Sequence, residues 1–384
     1  MKYAIRHTCI VAGLVIGSLL MTYNVGTGMS SITVLSSSTA LAAQPSAHNC
    51  PQKFSSPTYW NNLVGAQKGA SHIEHILCET LQGNTSQQAL ITVRHNGHAA
   101  LLDVYVYTHI NDRHPELLFS AKELLMGDAS ISGYNTVLIG EADRHAMINE
   151  GRADQQLTQD LYREFRWSVT EQRFVQVTFP GIFPDMTRYQ AEIDQQRVRY
   201  GLDLWKRNAS TVAAAATKQF FSWKRATITN ITSGGGTRDV AATIRVTQAP
   251  TPDGALAESA VVMQLSRLEG KLENIWEVTA IKSNDTLTLT SPANRGKVAS
   301  PVHITGSGPP FEGIVGIAFV LDHLGLEIGH ASARASGKGD MFLADVTYTS
   351  TVSDPVHEEG IVALFSISAA DGSVSTAVME KVLL

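Results

Sequence analysis

Residues 299–306 read Ala299-Ser300-Pro301-Val302-His303-Ile304-Thr305-Gly306, and residues 311–321 read Phe311-Glu312-Gly313-Ile314-Val315-Gly316-Ile317-Ala318-Phe319-Val320-Leu321. In the second stretch Val315, Ile317, Phe319 and Leu321 alternate with Ile314, Gly316, Ala318 and Val320, so the larger side chains share one face at the period of a strand. Phe342, Ala344, Val346 and Tyr348 repeat the pattern, and Ile361 to Ile367 and Val374 to Leu384 add two further apolar runs. Turn residues separate them at Asp322–Gly325, Ser336–Asp340, Asp354-Pro355 and Asp371-Gly372. Short strands at this spacing predict an antiparallel sandwich over 291–384. The region has no Cys, so apolar packing between the layers must hold it together.

The same residues carry a resemblance. The Ser300-Pro301-Val302-His303-Ile304-Thr305-Gly306 opening, the Phe311-Glu312-Gly313 step, the strand ending at Asp322, the Tyr348 strand and the Asp371-Gly372-Ser373 turn resemble the immunoglobulin-like domain family of bacterial spore germination. The resemblance covers about a quarter of the chain. It implies an immunoglobulin-like β-sandwich, a secreted or envelope-bound binding or structural module, a link to sporulation or germination, and no catalytic residues.

Outward from this region, the 384 residues allow two or three domains. The formal charge of −5 argues against a general nucleic-acid binder, which needs a basic surface. Residues 1–42 read as a secretion signal. Lys2 and Arg6 supply the positive start, Cys9 to Met21 is an apolar segment too short for a comfortable membrane span, and Ala40-Leu41-Ala42 places small residues where a signal peptidase reads. The spacer Thr22–Thr39 is long, and an uncleaved anchor is the rival reading. Cleavage removes Lys2 and Arg6 and no acid, which carries the formal charge from −5 to −7 and leaves no membrane span in the mature chain. It also leaves two cysteines, Cys50 and Cys78. In an exported chain these suggest one disulfide, the alternative being two unrelated thiols.

Residues 50–183 read as a β-rich domain. Ala89–Val93 and Leu101–Ile110 are strands around the turn His95-Asn96-Gly97-His98, with Leu102, Val104, Val106 and Thr108 on one face of the second and Asp103, Tyr105 and Tyr107 on the other. Arg163–Val169 and Arg173–Phe179 form a hairpin, and Asp185 is placed to cap a connector helix over 184–199. Residues 200–285 read as a small α+β domain, with a helix over 211–221 capped by Ser210 and two hairpins, the first turning at Gly234-Gly235-Gly236. One helix on an antiparallel sheet resembles the cystatin-like or nuclear-transport-factor-like layout, which hosts many functions. The fold class expected is multidomain, mainly β with α+β.

Candidate chemistry is sparse. On a helix, His72, His75 and Glu79 would face one way beside Cys78, at metal-ligand spacing; on a strand, His72 and His75 point apart, and a disulfide-bonded Cys78 cannot ligate. His95 and His98 read as exposed turn residues, and His109 and His114 border a loop without evident partners. No Gly-x-Ser-x-Gly elbow or His-Glu-x-x-His stands out. Gly306, Gly308 and Gly313 could suggest a nucleotide loop, but Pro309-Pro310 lacks the backbone N–H groups needed and a strand follows. Asp285, Glu358 and Glu359 read as solvated acids. Trp60, Trp167, Trp205, Trp223 and Trp276 read as core anchors, while Tyr105 and Tyr107 could line a carbohydrate or peptide face or an interdomain contact. We therefore assign no catalytic residue, metal or cofactor. The expectation is an exported, non-catalytic protein that binds an envelope, spore or extracellular ligand, or serves as a structural spacer. The alternative is a secreted enzyme with its site in 50–285 and the sandwich as accessory.

Overall fold

The computed structural model describes residues 50–83, 85–97, 99–223, 226–248, 259–283, 287–337, 339–352, 356–368 and 372–384, without the side chains of 227–230. The expected signal, His98 and Asp285 lie outside these residues. Among them the chain is mainly β, with 20 strands and three α-helices. Among the described residues no helix is long and apolar enough to cross a membrane.

The first segment begins with α1 (Pro57–Val64), then β1 (Ser71–Glu79), β2 (Gln88–His95), β3 (Leu102–Thr108) and β4 (Glu116–Leu124), an antiparallel meander in chain order. A second meander follows in β5 (Asp128–Ile131), β6 (Val137–Glu141), β7 (Leu161–Ser168) and β8 (Arg173–Val177). Leu90, Leu102, Val104 and Val106 meet Ile131, Val137, Ile139 and Phe174 in the core between the two sheets. The opposite face of the first sheet is buried as well. Ile91, Val93, Tyr105 and Tyr107 lie under Phe54 and Trp60. The face assignment read from alternation in β3 is therefore right, but Tyr105 and Tyr107 are core residues and not a binding face. Tyr105 Oη donates to Asp103 at 3.1 Å, and Tyr107 Oη donates to the Leu63 carbonyl of α1 at 3.1 Å. A disulfide joins Cys50 to Cys78, so the start of this segment is tied to β1.

Next come α2 (Arg188–Arg199), α3 (Ala209–Phe221), β9 (Ala226–Gly234), β10 (Ala241–Gln248), β11 (Ala260–Arg267) and β12 (Trp276–Ser283). The helix caps differ from expectation. Thr187 caps α2 in a reciprocal box with Gln190, because Asp185 is drawn away into an ion pair with Lys206 at 3.1 Å. Asn208, two residues before the expected Ser210, caps α3 by accepting from Thr211 N at 3.0 Å. α2 lies on the second meander, with Tyr189 stacked on Tyr162 at 4.5 Å. Its other side packs Ala191 and Val198 against Phe179, Leu268 and Ile275. α3 covers β9–β12 through Val212, Ala213 and Ala216, which meet Ile244, Met263 and Val278.

The last strands are β13 (Thr288–Ser291), β14 (Gly296–Lys297), β15 (Val302–Ser307), β16 (Ile314–Leu321), β17 (Glu327–Ala335), β18 (Met341–Val346), β19 (Glu359–Ile367) and β20 (Val374–Leu383). Their order is β13-β15-β18-β17-β16-β19-β20, and the same sheet continues into β12-β11-β10-β9 through a pairing of Ile281 with Met379. Val302 and Ile304 of β15 and Phe342, Ala344 and Val346 of β18 face Ala318 and Val320 of β16, Val362 and Leu364 of β19, and Val378 and Val382 of β20. Two layers thus enclose one core, with β17 hydrogen-bonded to both β16 and β18. Gly306 is required by this geometry: a Cβ there would lie 2.0 Å from the Thr288 carbonyl oxygen and 2.7 Å from the Phe342 ring.

The other faces of β16, β19 and β20 are also buried. Leu321, Ile361, Ala363, Ala377 and Met379 join the core under α3. A bulge between Ile314 and Gly316 shifts the alternation of β16, which is why Val315 sides with Ala318 and Val320. Leu321, Ile361 and Met379 alone contribute about 1.5–3 kcal/mol each by burial. That sum approaches the whole stability of a typical domain, roughly 5–15 kcal/mol, so β9–β12 depend on strands from the C-terminal region.

The Cys50–Cys78 crosslink closes a loop worth about 3–4 kcal/mol in the chain-entropy picture. Replacing both cysteines by serine is expected to lower the thermal midpoint by several degrees, most visibly for Trp60, which is completely buried. Calorimetry on both proteins checks this, and an unchanged midpoint would contradict it.

Candidate functional site

A cleft of about 910 Å³ opens where β7, β8, the end of β11 and the β14 segment meet. Its walls follow from local structure. Alternation on β7 puts Phe165 and Trp167 toward the inter-sheet core and Glu164 and Arg166 on the other face. β14 runs parallel beside β20, pairing Gly296 with Val382 and Lys297 with Leu383. Arg295 enters this strand from a turn closed by Gly296 N donating to the Ala293 carbonyl at 2.9 Å. Phe179 and Leu268, both buried, sit among the lining residues.

The charges in the cleft do not cancel. Glu164 is neutralised by Arg188, whose Nε donates to it at 2.8 Å. Glu269 is held by Lys271 at 2.6 Å and approached by Arg188 at 4.0 Å. Glu277 is fully buried beside Asp185, and burial followed by repulsion from Asp185 pushes its carboxyl well above the usual range, toward the neutral form. Arg267 has no carboxylate partner among the described residues. It is buried, and its guanidinium donates to the carbonyls of Asp239 at 2.8 Å, Asn274 at 2.6 Å and Gly236 at 3.4 Å and lies over the Trp276 ring at 4.4 Å. Arg166 stands 5.5 Å from the Tyr134 ring, and Arg295 and Lys297 are exposed. None of these three forms an ion pair with a described residue. Three exposed cations therefore face the cleft without an ion-pair partner among the described residues, in a chain whose formal charge is −5.

Two buried ionic clusters hold the walls in place. Glu359 and Lys381 lie diagonally across β19 and β20 and pair at 3.3 Å, both about 1% exposed or less. Glu359 also accepts from Phe179 N at 2.9 Å, and Lys381 donates to the Met186 carbonyl. Burial first, offset by Lys381, leaves the Glu359 carboxyl raised to about 7. The neighbouring Glu358 points to a second cluster. Its carboxylate bonds His323 Nδ1, and Asp160 lies 3.3 Å from His323 Nε2. Ser350 donates to the other oxygen of Glu358. Burial works against a charged His323 ring, but hydrogen bonds to Asp160 and Glu358 outweigh it and raise its pKa to about 10. Asp160 in turn accepts from Asp143 N at 2.8 Å and Asn149 Nδ2 at 3.1 Å. The imidazolium thus ties the 143–160 loop to the β16–β17 turn. Both ring nitrogens are occupied by carboxylates, and His323 does not line the cleft.

The residues singled out in sequence fall elsewhere. Residues 71–79 are a strand, so the helical ligand arrangement does not form. A bulge between Ile73 and His75 places His72 opposite Arg94 and His75 opposite Thr92, on one face and not on two. Cys78 is in the disulfide, and no group of three or more metal-ligating side chains assembles among the described residues. His95 rests 3.2 Å from Asp103, and His109 lies 3.6 Å from Glu116, a partner the sequence did not suggest. Glu358 and Glu359, expected in solvent, are both 1% exposed because opposing cations bury with them. Trp60, Trp223 and Trp276 are buried as core anchors, whereas Trp205 is 36% exposed. Arg166, Arg267, Arg295 and Lys297 went unnoticed. The only local signal was the short basic run Arg295-Gly296-Lys297; the rest converge from distant segments.

No family model matches the chain, and no curated protein matches it.

The His323 cluster gives a pH prediction. Its folded pKa lies above the unfolded value of about 6.5, so its stabilisation is complete below that pH and is lost as pH rises toward 10. In urea titrations, the stability gap between the natural protein and His323→Gln is expected to be widest near pH 6 and to narrow steadily toward pH 10. A gap that is constant or widens with pH would contradict the charged bridge.

Proposed function

We propose that this chain works outside the cytoplasm as a non-catalytic binding protein of the bacterial cell envelope or spore surface. On this reading the two layers around β15–β20 are the immunoglobulin-like module implied by the C-terminal resemblance. The disulfide supports an oxidising compartment. The observation that carries the proposal is the division of labour among ionisable groups. The acids and the histidine suited to proton transfer are tied into structure-joining pairs, while the open cleft presents cations and polar side chains. Such a cleft suits recognition. A link to sporulation or germination follows from the resemblance alone.

A second reading, an enzyme with its site in 50–285, draws on one pair. Glu192 is half-buried near Glu269, and desolvation, with Glu269 adding to it, raises its carboxyl to about 7, the range of a general acid. Loss of a detectable turnover on Glu192→Gln would favour that reading.

The test of the binding proposal is co-sedimentation of residues 41–384, whose described part is one compact unit, with purified cell walls and with spores. Removing 291–384 is not a usable control, because it would strip β16, β19 and β20 from the core under α3. We expect the protein to pellet with at least one of the two. Protein that stays in the supernatant with both would overturn the proposal.

A further inference from the structure

We infer that the cleft binds a segment of a polymer carrying repeated oxyanions, phosphodiester or carboxylate, with the exposed Arg166, Arg295 and Lys297 as its cationic contacts. The inference rests on the binding reading above and names its ligand class. Three observations lead to it. The first is that these three exposed cations lack a carboxylate partner among the described residues, while the acids that share the cleft are each paired or held neutral. In a chain of formal charge −5, a concave region with that imbalance focuses a positive potential against the sign of the whole molecule. The second is the distribution of the cations. Arg166 stands on β7, and Arg295 and Lys297 on the β14 segment, so they come from two walls. A single oxyanion cannot satisfy all of them, whereas one that recurs along a chain can. The third is size. About 910 Å³ lies near the upper end of small-molecule sites, roughly 300–1,000 Å³, which leaves room for several units of a polymer.

The groups around the cations fit the same ligand. Arg267 lies buried behind them, its nitrogens spent on backbone carbonyls and its plane on the Trp276 ring, so it adds positive potential without touching the ligand. Tyr134, half exposed, has its ring 5.5 Å from the Arg166 guanidinium and 4.8 Å from that of Arg188. Gln176 and Asn294 add neutral polar groups for hydroxyls of a sugar or polyol backbone.

The experiment measures binding by residues 41–384 of three probes: poly(glycerol phosphate), polygalacturonate and uncharged dextran, each across a salt series. The variants are Arg166→Gln, Arg295→Gln, Lys297→Gln and the triple substitution. All three positions are exposed and free of ion pairs to described residues, so the thermal midpoint should not move, and it is checked first. We expect one or both polyanions to bind and dextran not to bind. Each single substitution should weaken binding about tenfold and lower the slope of log affinity against log salt by roughly one. Binding of the phosphate polymer alone identifies a phosphodiester ligand, and of the uronate polymer alone a carboxylate ligand. Dextran binding equal to the polyanions, no polyanion binding, or a folded triple variant with unchanged affinity and slope would overturn the inference. The envelope reading is separable from it. If the triple variant still pellets with walls or spores, envelope binding stands and the cleft is not its site. If polyanions bind but nothing pellets, the cleft stands and the envelope reading falls.

Discussion

The β19–β20 hairpin is buried on both faces, and that constraint shapes the rest of the structure. One side of these strands, through Ile361, Ala363, Ala377 and Met379, completes the core under α3. The other side, through Val362, Leu364, Val378 and Val382, completes the core between the C-terminal layers. A strand pair in this position must be apolar on both faces, which is why Ile361–Ile367 and Val374–Leu384 read as near-continuous apolar runs and not as clean alternations. The single Ile281–Met379 pairing then lets one antiparallel sheet serve two cores.

Where the hairpin meets the N-terminal segment, the contacts change from apolar to ionic. Glu359 with Lys381 and Glu358 with His323 sit at the start of β19 and reach Phe179, Met186 and Asp160. Buried pairs of this kind add little net stability, because the cost of removing charges from water offsets most of their attraction. Removing one partner, however, leaves a buried charge unmatched. They therefore fix which segments meet and in what orientation. The cleft benefits directly: Glu359 anchors Phe179 on its floor, and Lys381 carries the backbone carbonyl that receives Arg295 N at 2.6 Å.

Much of this architecture could be read from the chain, and the reason is periodicity. The faces of β3 and β18, the hairpin of β7 and β8, and the helix read over 211–221 and found over Ala209–Phe221 follow from local pattern, while the Cys50–Cys78 bond follows from the two cysteines left after the expected signal. What was not legible depends on partners far away in sequence. Glu358 and Glu359 look like solvated acids until Lys381 and His323 are placed beside them. Tyr105 and Tyr107 look like an open face until α1 is folded over it. The bulge in β1 reverses the facing of His72 and His75, and no residue type announces it. Asp185 satisfies every local rule for a helix cap, yet Lys206 offers it a stronger partner. The cationic cleft is the extreme case, since its members come from β7, β11 and β14 and become a site only when the hairpin sets their relation.

The central claim is that β9–β12 and the C-terminal layers unfold as one body because they share β16, β19 and β20. Native-state amide exchange on Met379→Ala tests it most directly. The truncation opens a cavity in the core under α3, at a cost of about 2–5 kcal/mol. The account predicts that amides of β10–β12 and of β15 and β18, which lie in the other core, lose the same protection free energy. Loss confined to β10–β12, with β15 and β18 unchanged, would show two independent domains and contradict it.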